Sequence, residues 1–479
     1  MAGLSSLGIG SGLDAENIVT SLVAIERKPA EAIKTENSKL ETKVSTWGKI
    51  QSAFSSLQDA SSALNSADFW TATKATSSDS ESVGVTTGAN SAPGAYSITV
   101  QSLASSQYVA SSAYASKSSA VGQGTLTIQT GTYVTSAEPP AVTFNAKAAA
   151  SEFSITIGPE DNTLEKIRDK INRAGAGVTA SLVNDSAGAR LVLRGATGAE
   201  NAFKVSVSED PSAPGLSALA YDASTGGVSQ MTRTQSASNA QATINGLSVS
   251  STSNTMTGVV DGLTLQLNKT SSTPINVNVT KDTEAIRKGI DTFVSTYNNV
   301  VSTVRVQSKY DEASKTSGPL QGDSTARGLL AQIRNMVGSS SGASSVFGRL
   351  SDIGMDINVD GTLAINSTKM SSAMENMGEL QKFFANSDAA NSGKDGLSQR
   401  MRSLTSQLIG AEGPISTRTD GIKSMIERNK DKIERIDVKA ALAEARLRAQ
   451  YTALDNNMAK LNGLASYVTA QLAALNKNN

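Results

Sequence analysis

The chain closes on apolar residues spaced by seven: Ile426, Ile433, Ala440, Leu447, Leu454, Leu461, Val468 and Leu475. A second set, Ile422, Ile436, Ala443, Tyr451, Met458, Ala465 and Leu472, runs beside it; Asn429 interrupts that set, and it shifts between Ala443 and Tyr451. A repeat of seven with a companion set three or four residues away is a coiled-coil seam, and a strand of period two cannot hold it on one face. The other end mirrors it. Ile33, Leu40, Trp47 and Phe54 lie seven apart, supported by Val44, Ile50, Leu57 and Leu64. They predict a helix over residues 30–66, about 55 Å long at 1.5 Å per residue. Ile33, Leu40, Trp47, Phe54, Ile426 and Ile433 are therefore the expected coiled-coil core.

Between these ends the period changes from seven to two. "YSITV" (96–100), "FSITI" (153–157), "LVL" (191–193), "FKVSV" (203–207), "LTLQL" (263–267) and "INVNV" (275–279) alternate, as half-buried antiparallel strands do. Asn245-Gly246 separates two alternating runs and predicts a tight hairpin. "TLEKIRDKIN" places Leu164, Ile167 and Ile171 on one helical stripe. Helical spacing returns after Asp282 with Ile286, Ile290, Phe293, Tyr297, Val300 and Val304, then at 324–337, 367–384 and 396–409. The expected fold class is α+β multidomain: an α-helical coiled-coil stalk from both chain ends with inserted antiparallel β domains.

Composition narrows the chemistry. The chain has 479 residues, no Cys and no His. Disulfides, thiol nucleophiles, imidazole bases and ordinary zinc sites are thereby absent. Such a composition suits a protein that travels unfolded and assembles outside the cell. Lys and Arg number 43 against 43 Asp and Glu, which argues against a nucleic-acid footprint. No run of about 18 apolar residues exists to insert into a membrane, and the start lacks the basic and apolar regions of a secretory signal.

Motifs that look chemical have plainer readings. "DINVDGTLAINS" sets Asp356, Asn358, Asp360 and Gly361 at calcium-loop spacing, but Ser367 stands where a bidentate Glu is needed. A hairpin turning at Asp360-Gly361 is the expectation. "GIGSG" at 8–12 misplaces its third glycine for a dinucleotide fingerprint, and no Walker A sequence occurs. No pair of acids is singled out for glycoside chemistry. We expect no catalytic residue, metal or cofactor. Trp70, at the end of the first helix, reads as a plug at the joint of helix and sheet, or as an anchor between subunits.

The start poses an energetic question. Leu13, Ile18, Leu22 and Ile25 form a short apolar stripe that Pro29 is expected to end, behind a leader punctuated by Gly3, Gly8, Gly10 and Gly12. Burying Ile18, Leu22 and Ile25 contributes roughly 6 kcal/mol. Ordering a segment such as 13–28 costs about 1–2 kcal/mol per residue in backbone entropy. It should stay disordered until a partner covers its stripe, and residues 1–12 should order only when docked.

At this point a resemblance enters. "SSLGIGSGLDAENIVTSLVAIERKP", "GAYSITVQSLASSQ", "NTLEKIRDKINRAGAGVTASLVND", "ARLVLRGATGAEN", "INGLSVSSTSNTMTGVVDGLTLQL", "DINVDGTLAINSTKM" and the closing "LNGLASYVTAQLAALNK" resemble the flagellar filament cap family, hook-associated protein 2. They cover nearly the whole chain in order; residues 111–150 and 208–235 match least. The resemblance implies export through the flagellar type III apparatus and an extracellular, homo-oligomeric ring at the distal tip of the bacterial flagellum. Flagellin would fold and polymerise beneath it. It also implies an export chaperone on the C-terminal helix and contact with a host surface or mucin. Expected domains are a leg (1–42 with 435–479), a helical stalk with a small hairpin (43–72 with 283–434), an inner β domain (73–110 with 236–282) and an outer β domain with one helix (111–235). Flagellin would meet the legs at Leu13, Ile18, Leu22, Ile25, Leu447, Leu454, Leu461, Val468, Leu472 and Leu475. Rival readings are another axial flagellar protein, at the hook–filament junction or in the filament, and a surface adhesin on a coiled-coil stalk.

Overall fold

The computed structural model describes residues 13–147, 152–312 and 315–477, apart from the side chains of Asp311 and residues 474–477. The leader at 1–12 and the side chain of Leu475 lie outside the described residues. The chain divides into two compact units, Met1–Trp70 with Glu284–Asn479, and Thr71–Thr283.

The first unit is built on two long helices. The N-terminal helix spans Ala15–Leu64, and the Asp14 carboxylate caps it by accepting from the Asn17 amide at 3.1 Å. It begins well before residue 30 and runs on through Pro29, where the stripe was expected to end. Proline removes the bond to the carbonyl of Ile25 and crowds it, which usually kinks or breaks a helix. Here packing on both sides of Pro29 outweighs that penalty: Val19 and Val23 are buried before it, Ala30, Asn37 and Leu40 after it.

The covering partner is the C-terminal helix, Pro414–Lys477. The two run antiparallel, as paired contacts at Asn37–Asn429, Arg27–Asp437, Glu26–Lys439 and Glu16–Arg448 require. Nearer the body of the unit the seam becomes a true core. Leu40, Trp47, Ile50, Phe54, Leu57 and Leu64 join Ile286, Ile290, Phe293, Tyr297, Val300 and Val304 of helix Thr283–Ser308, and Ile415, Ile422 and Ile426. Helices Ser324–Gly338 and Leu397–Ile409 complete it. The segment expected as one helix at 367–384 is two, Ser367–Glu375 and Met377–Ala385, because Asn376 leaves helical geometry at φ −106° and ψ 62°.

Two local features follow the sequence closely. Met355–Ile357 pairs with Leu363–Ile365 in the expected hairpin, and Gly361 supplies the turn with φ 87°. Trp70 is buried in the helical core: its indole N–H donates to the Leu64 carbonyl at 2.7 Å, and its ring stacks on Phe384 at 5.7 Å. That burial removes it as an anchor between subunits.

The second unit is antiparallel β with one long helix. A five-stranded sheet runs in the order Thr73–Ser77, Ile275–Lys281, Gly94–Ser102, Ala240–Ile244, Leu247–Ser251. The last two strands form the Asn245-Gly246 hairpin, with φ 51° and 82° at its corner. Both positive angles are those of a type I′ turn. With a three-stranded sheet of Thr255–Thr257, Leu263–Leu267 and Val83–Thr87, it encloses Ile98, Val100, Ala242, Leu265 and Val277. A separate core gathers Leu126, Ile128, Ile157, Leu191, Leu193 and Phe203 under the stripe Leu164, Ile167 and Ile171 of helix Leu164–Ala174.

Candidate functional site

The open surfaces of the terminal helix pair arise from how the pair closes. Inward positions of the N-terminal helix are Ala15, Val19, Val23 and Ala30, between 1% and 7% exposed. With half-buried Glu26 and Ile33 they continue, at spacings of three and four, the row that holds Asn37 and Leu40. The stripe read from the sequence is the neighbouring one. Ile18 is half-buried, while Leu13, Leu22 and Ile25 are 46%, 40% and 66% exposed. Residues 13–28 thus find a covering surface within the chain, through the less apolar of their two stripes. The reason is register: only the Val19–Val23 row stays in phase with the large core residues that follow. Its short side chains let the helices approach, with Ala440 fully buried and Leu447 and Tyr451 partly buried against it.

Among the expected core residues, Leu40, Trp47, Phe54 and Ile426 are buried. Ile33 and Ile433 are only half-buried, a correction to their place in the core. A bare two-helix pair leaves part of each seam side chain wet, whereas Leu40 and Ile426 are also covered by the rest of the core. Between the two pairs lies a polar layer, where the Asn429 amide donates to the Asn37 side-chain oxygen at 2.9 Å.

Charges line the rim. Arg448 grips Glu16 with two hydrogen bonds, 2.8 and 2.6 Å, and also bonds Glu444 at 3.0 Å. That guanidinium holds the Glu16 carboxyl below its ordinary range, and the two carboxylates push Arg448 up. Lys439 reaches Glu26 at 2.9 Å and Arg27 approaches Asp437 at 3.7 Å. All are solvent-exposed pairs, so they set register more than they add stability.

Beyond Tyr451 the described N-terminal helix has run out and the C-terminal helix continues. From Thr452 to residue 473 every side chain is exposed except half-buried Asp455 and Met458. Leu454, Leu461, Val468 and Leu472 are 40%, 57%, 51% and 58% exposed. Leu447, in contrast, is engaged within the seam. Sequence reasoning missed Leu464 and Tyr467, at 60% and 62% exposure; they lie off the heptad row, and only the bareness of the helix reveals them. Each such side chain gains about 1.5–3 kcal/mol when covered. The surface is suited to docking helices. Among the described residues no cluster of three or more acidic, His or Cys side chains is placed to hold a metal, and no helix is long and apolar enough to cross a membrane. A cavity of about 620 Å³ in the β unit is lined by Asn172, Gly175, Gly177, Thr179 and Arg194, among others.

Comparison with known proteins agrees along the chain. Family models described as the flagellar hook-associated protein 2 N-terminus and C-terminus match residues 11–107 and 237–463, and a flagellin hook IN motif matches residues 125–197. The flagellar hook-associated protein 2 of Escherichia coli K12 is 32% identical over 98% of this chain and 98% of its own. That of Salmonella typhimurium is 30% identical over 100% of both. Among solved structures, the flagellar cap protein FliD D1-D2-D3 domains from Escherichia coli align with a TM-score of 0.63 at 29% identity, covering 79% of this chain and 99% of that one.

Proposed function

The chain belongs to the flagellar hook-associated protein 2 family, and from that premise we propose how its terminal helices work at the foot of a flagellar filament cap. Cap proteins of this family sit on flagellin at the extracellular, distal tip of the filament and form oligomers. The role is structural, and the whole-length match does not favour a junction protein, a filament subunit or an adhesin.

The observation that carries the reading is the bare end of the C-terminal helix, with Leu454, Leu461, Val468 and Leu472 open in one heptad seam. In our reading the legs are residues 1–42 with 435–479, and this seam, with Leu13, Leu22 and Ile25, receives the terminal helices of flagellin. Several side chains between the leucines are small, such as Ala465 and Ala473, so contacts there are close and shallow. A weak, repeated contact lets a cap step forward as each subunit inserts; a stronger one would lock it. Before export the same surface would associate non-specifically, so a chaperone on the C-terminal helix and passage through the type III apparatus in an unfolded state belong to the same reading. Contact with a host surface or mucin would fall to the β unit.

Replacing Leu461 or Val468 by Asp tests this. Either variant should be exported and keep the thermal transition of the parent, while filament growth stops and unpolymerised flagellin appears in the medium. Normal motility with full flagellin retention would overturn the leg assignment.

A further inference from the structure

The strand Leu247–Ser251 forms one edge of the five-stranded sheet and pairs only with Ala240–Ile244. Its two-residue turn makes Ile244 and Leu247 a hydrogen-bonded pair, so by alternation Ala242–Val249 and Ala240–Ser251 are hydrogen-bonded pairs too. Ser248 and Ser250 fall between them, and their backbone N–H and C=O groups point away from the sheet. Among the described residues no hydrogen bond reaches those groups, and both serines are exposed.

Four other edges of the β unit are closed or guarded. On Val178–Asp185 the Asn172 amide donates to the Ala180 carbonyl at 2.9 Å, and its oxygen accepts from the Ala180 N–H at 2.8 Å. On Ala141–Ala146 the Thr225 N–H donates to the Val142 carbonyl and the Thr225 hydroxyl accepts from the Val142 N–H, both at 2.8 Å. Tyr221 exchanges both backbone bonds with Val205 of Ala202–Glu209, at 2.7 and 2.8 Å. At the opposite edge of the five-stranded sheet, Thr73–Ser77 carries Lys74, and the Thr73 carbonyl accepts from the Thr87 hydroxyl at 2.6 Å. Lysine, proline and covering groups are the usual means of keeping an edge from pairing. Leu247–Ser251 has none of them: no charged residue and no proline occurs from Thr234 to Val260.

The same strand leaves apolar side chains uncovered. Val249 stands beside buried Ala242 and Leu247 beside buried Ile244, on the side of the sheet that faces the core. Yet Val249 is only half-buried and Leu247 is 73% exposed. The apolar layer continues to the rim of the sheet, where a further strand would cover it.

We infer that this edge pairs with the same edge of a second copy, antiparallel about a two-fold axis through Val249. In such an isologous contact a strand is its own complement, whereas the guarded edges of a second copy have no free row to offer. Ser248 of each copy exchanges both backbone bonds with Ser250 of the other, and the two Val249 side chains meet as a non-hydrogen-bonded pair. Leu247 then lies opposite Ser251. This contact differs in kind from the head-to-tail contacts that close a ring of more than two copies. It is short, so it is reversible, and it does not depend on the leg assignment.

The chain has no native Cys, so a single introduced thiol reports the register. Full-length Val249→Cys should form a disulfide-linked dimer under a mild oxidant, since the Cα atoms of a non-hydrogen-bonded pair stand about 4.5 Å apart, within disulfide reach. Leu247→Cys is the more exposed position, but its two copies lie four residues out of register, about 14 Å apart, and should link at least tenfold more slowly. Adding Ser248→Lys with Ser250→Lys to the Val249→Cys chain sets like charges opposite one another and should slow its linking at least tenfold. Ser250→Pro, which removes an outward N–H, should do the same, and circular dichroism identifies whichever variant keeps the parent's fold. A Val249→Cys protein that stays monomeric overturns the inference, whether the edge is then solvated or taken by a foreign strand. Leu247→Cys linking as fast as Val249→Cys also overturns it, because exposure alone would then account for the dimer.

Discussion

Asn37 and Asn429 meet 392 residues apart along the chain, in a seam otherwise built mostly of apolar side chains. A lone polar pair at seam positions costs stability and fixes register, since any slip sets a buried amide against a hydrocarbon. Asn429→Leu alone should therefore destabilise the helical unit by about 1–3 kcal/mol, because Asn37, 8% exposed, loses its partner. Asn37→Leu together with Asn429→Leu should recover that loss or exceed it, at the expense of a unique alignment. Urea unfolding followed by tryptophan fluorescence measures both, since Trp47 and Trp70 are both buried in this unit's core. The sequence marked Asn429 as an interruption. It could not name Asn37, which reads as an ordinary polar helix residue until the antiparallel register is known.

At the scale of elements, the N-terminal helix is where local signals and tertiary packing disagree. Pro29 and the Leu22–Ile25 stripe both argued for a short separate segment, yet the helix is continuous from Ala15 to Leu64. Propensity is a weak prior when an in-phase partner lies alongside. Pro29 is exposed, so Pro29→Ala should restore the missing backbone bond without a clash and stabilise the helix by about 1–3 kcal/mol. Slower amide exchange over residues 15–36 in the variant checks it; equal exchange would mean that the proline carries no penalty here. Strands and the helix Leu164–Ala174 were legible for the opposite reason. Their alternation or stripe, with a turn signal such as Asn245-Gly246, agrees with the local backbone and needs no distant partner to be read.

For the whole molecule, the helical core and the two β cores share no residue. Residues 71–283 should accordingly fold as an isolated fragment, with β-type circular dichroism and a cooperative thermal transition; a disordered fragment would contradict that independence. Sequence alone determined the class of the protein: terminal heptads for helices, alternation for sheets, and a chain without His or Cys that closes off most site chemistry. Those properties are local and periodic, so they survive without knowledge of neighbours. Tertiary structure alone decided which stripe of the N-terminal helix turns inward, and that Leu447 is spent in the seam while Leu454, Leu461, Val468 and Leu472 stay open. Each depends on the register between two segments at opposite ends of the chain, and register is set by a sum of small packing and polar terms that no single stretch of sequence contains.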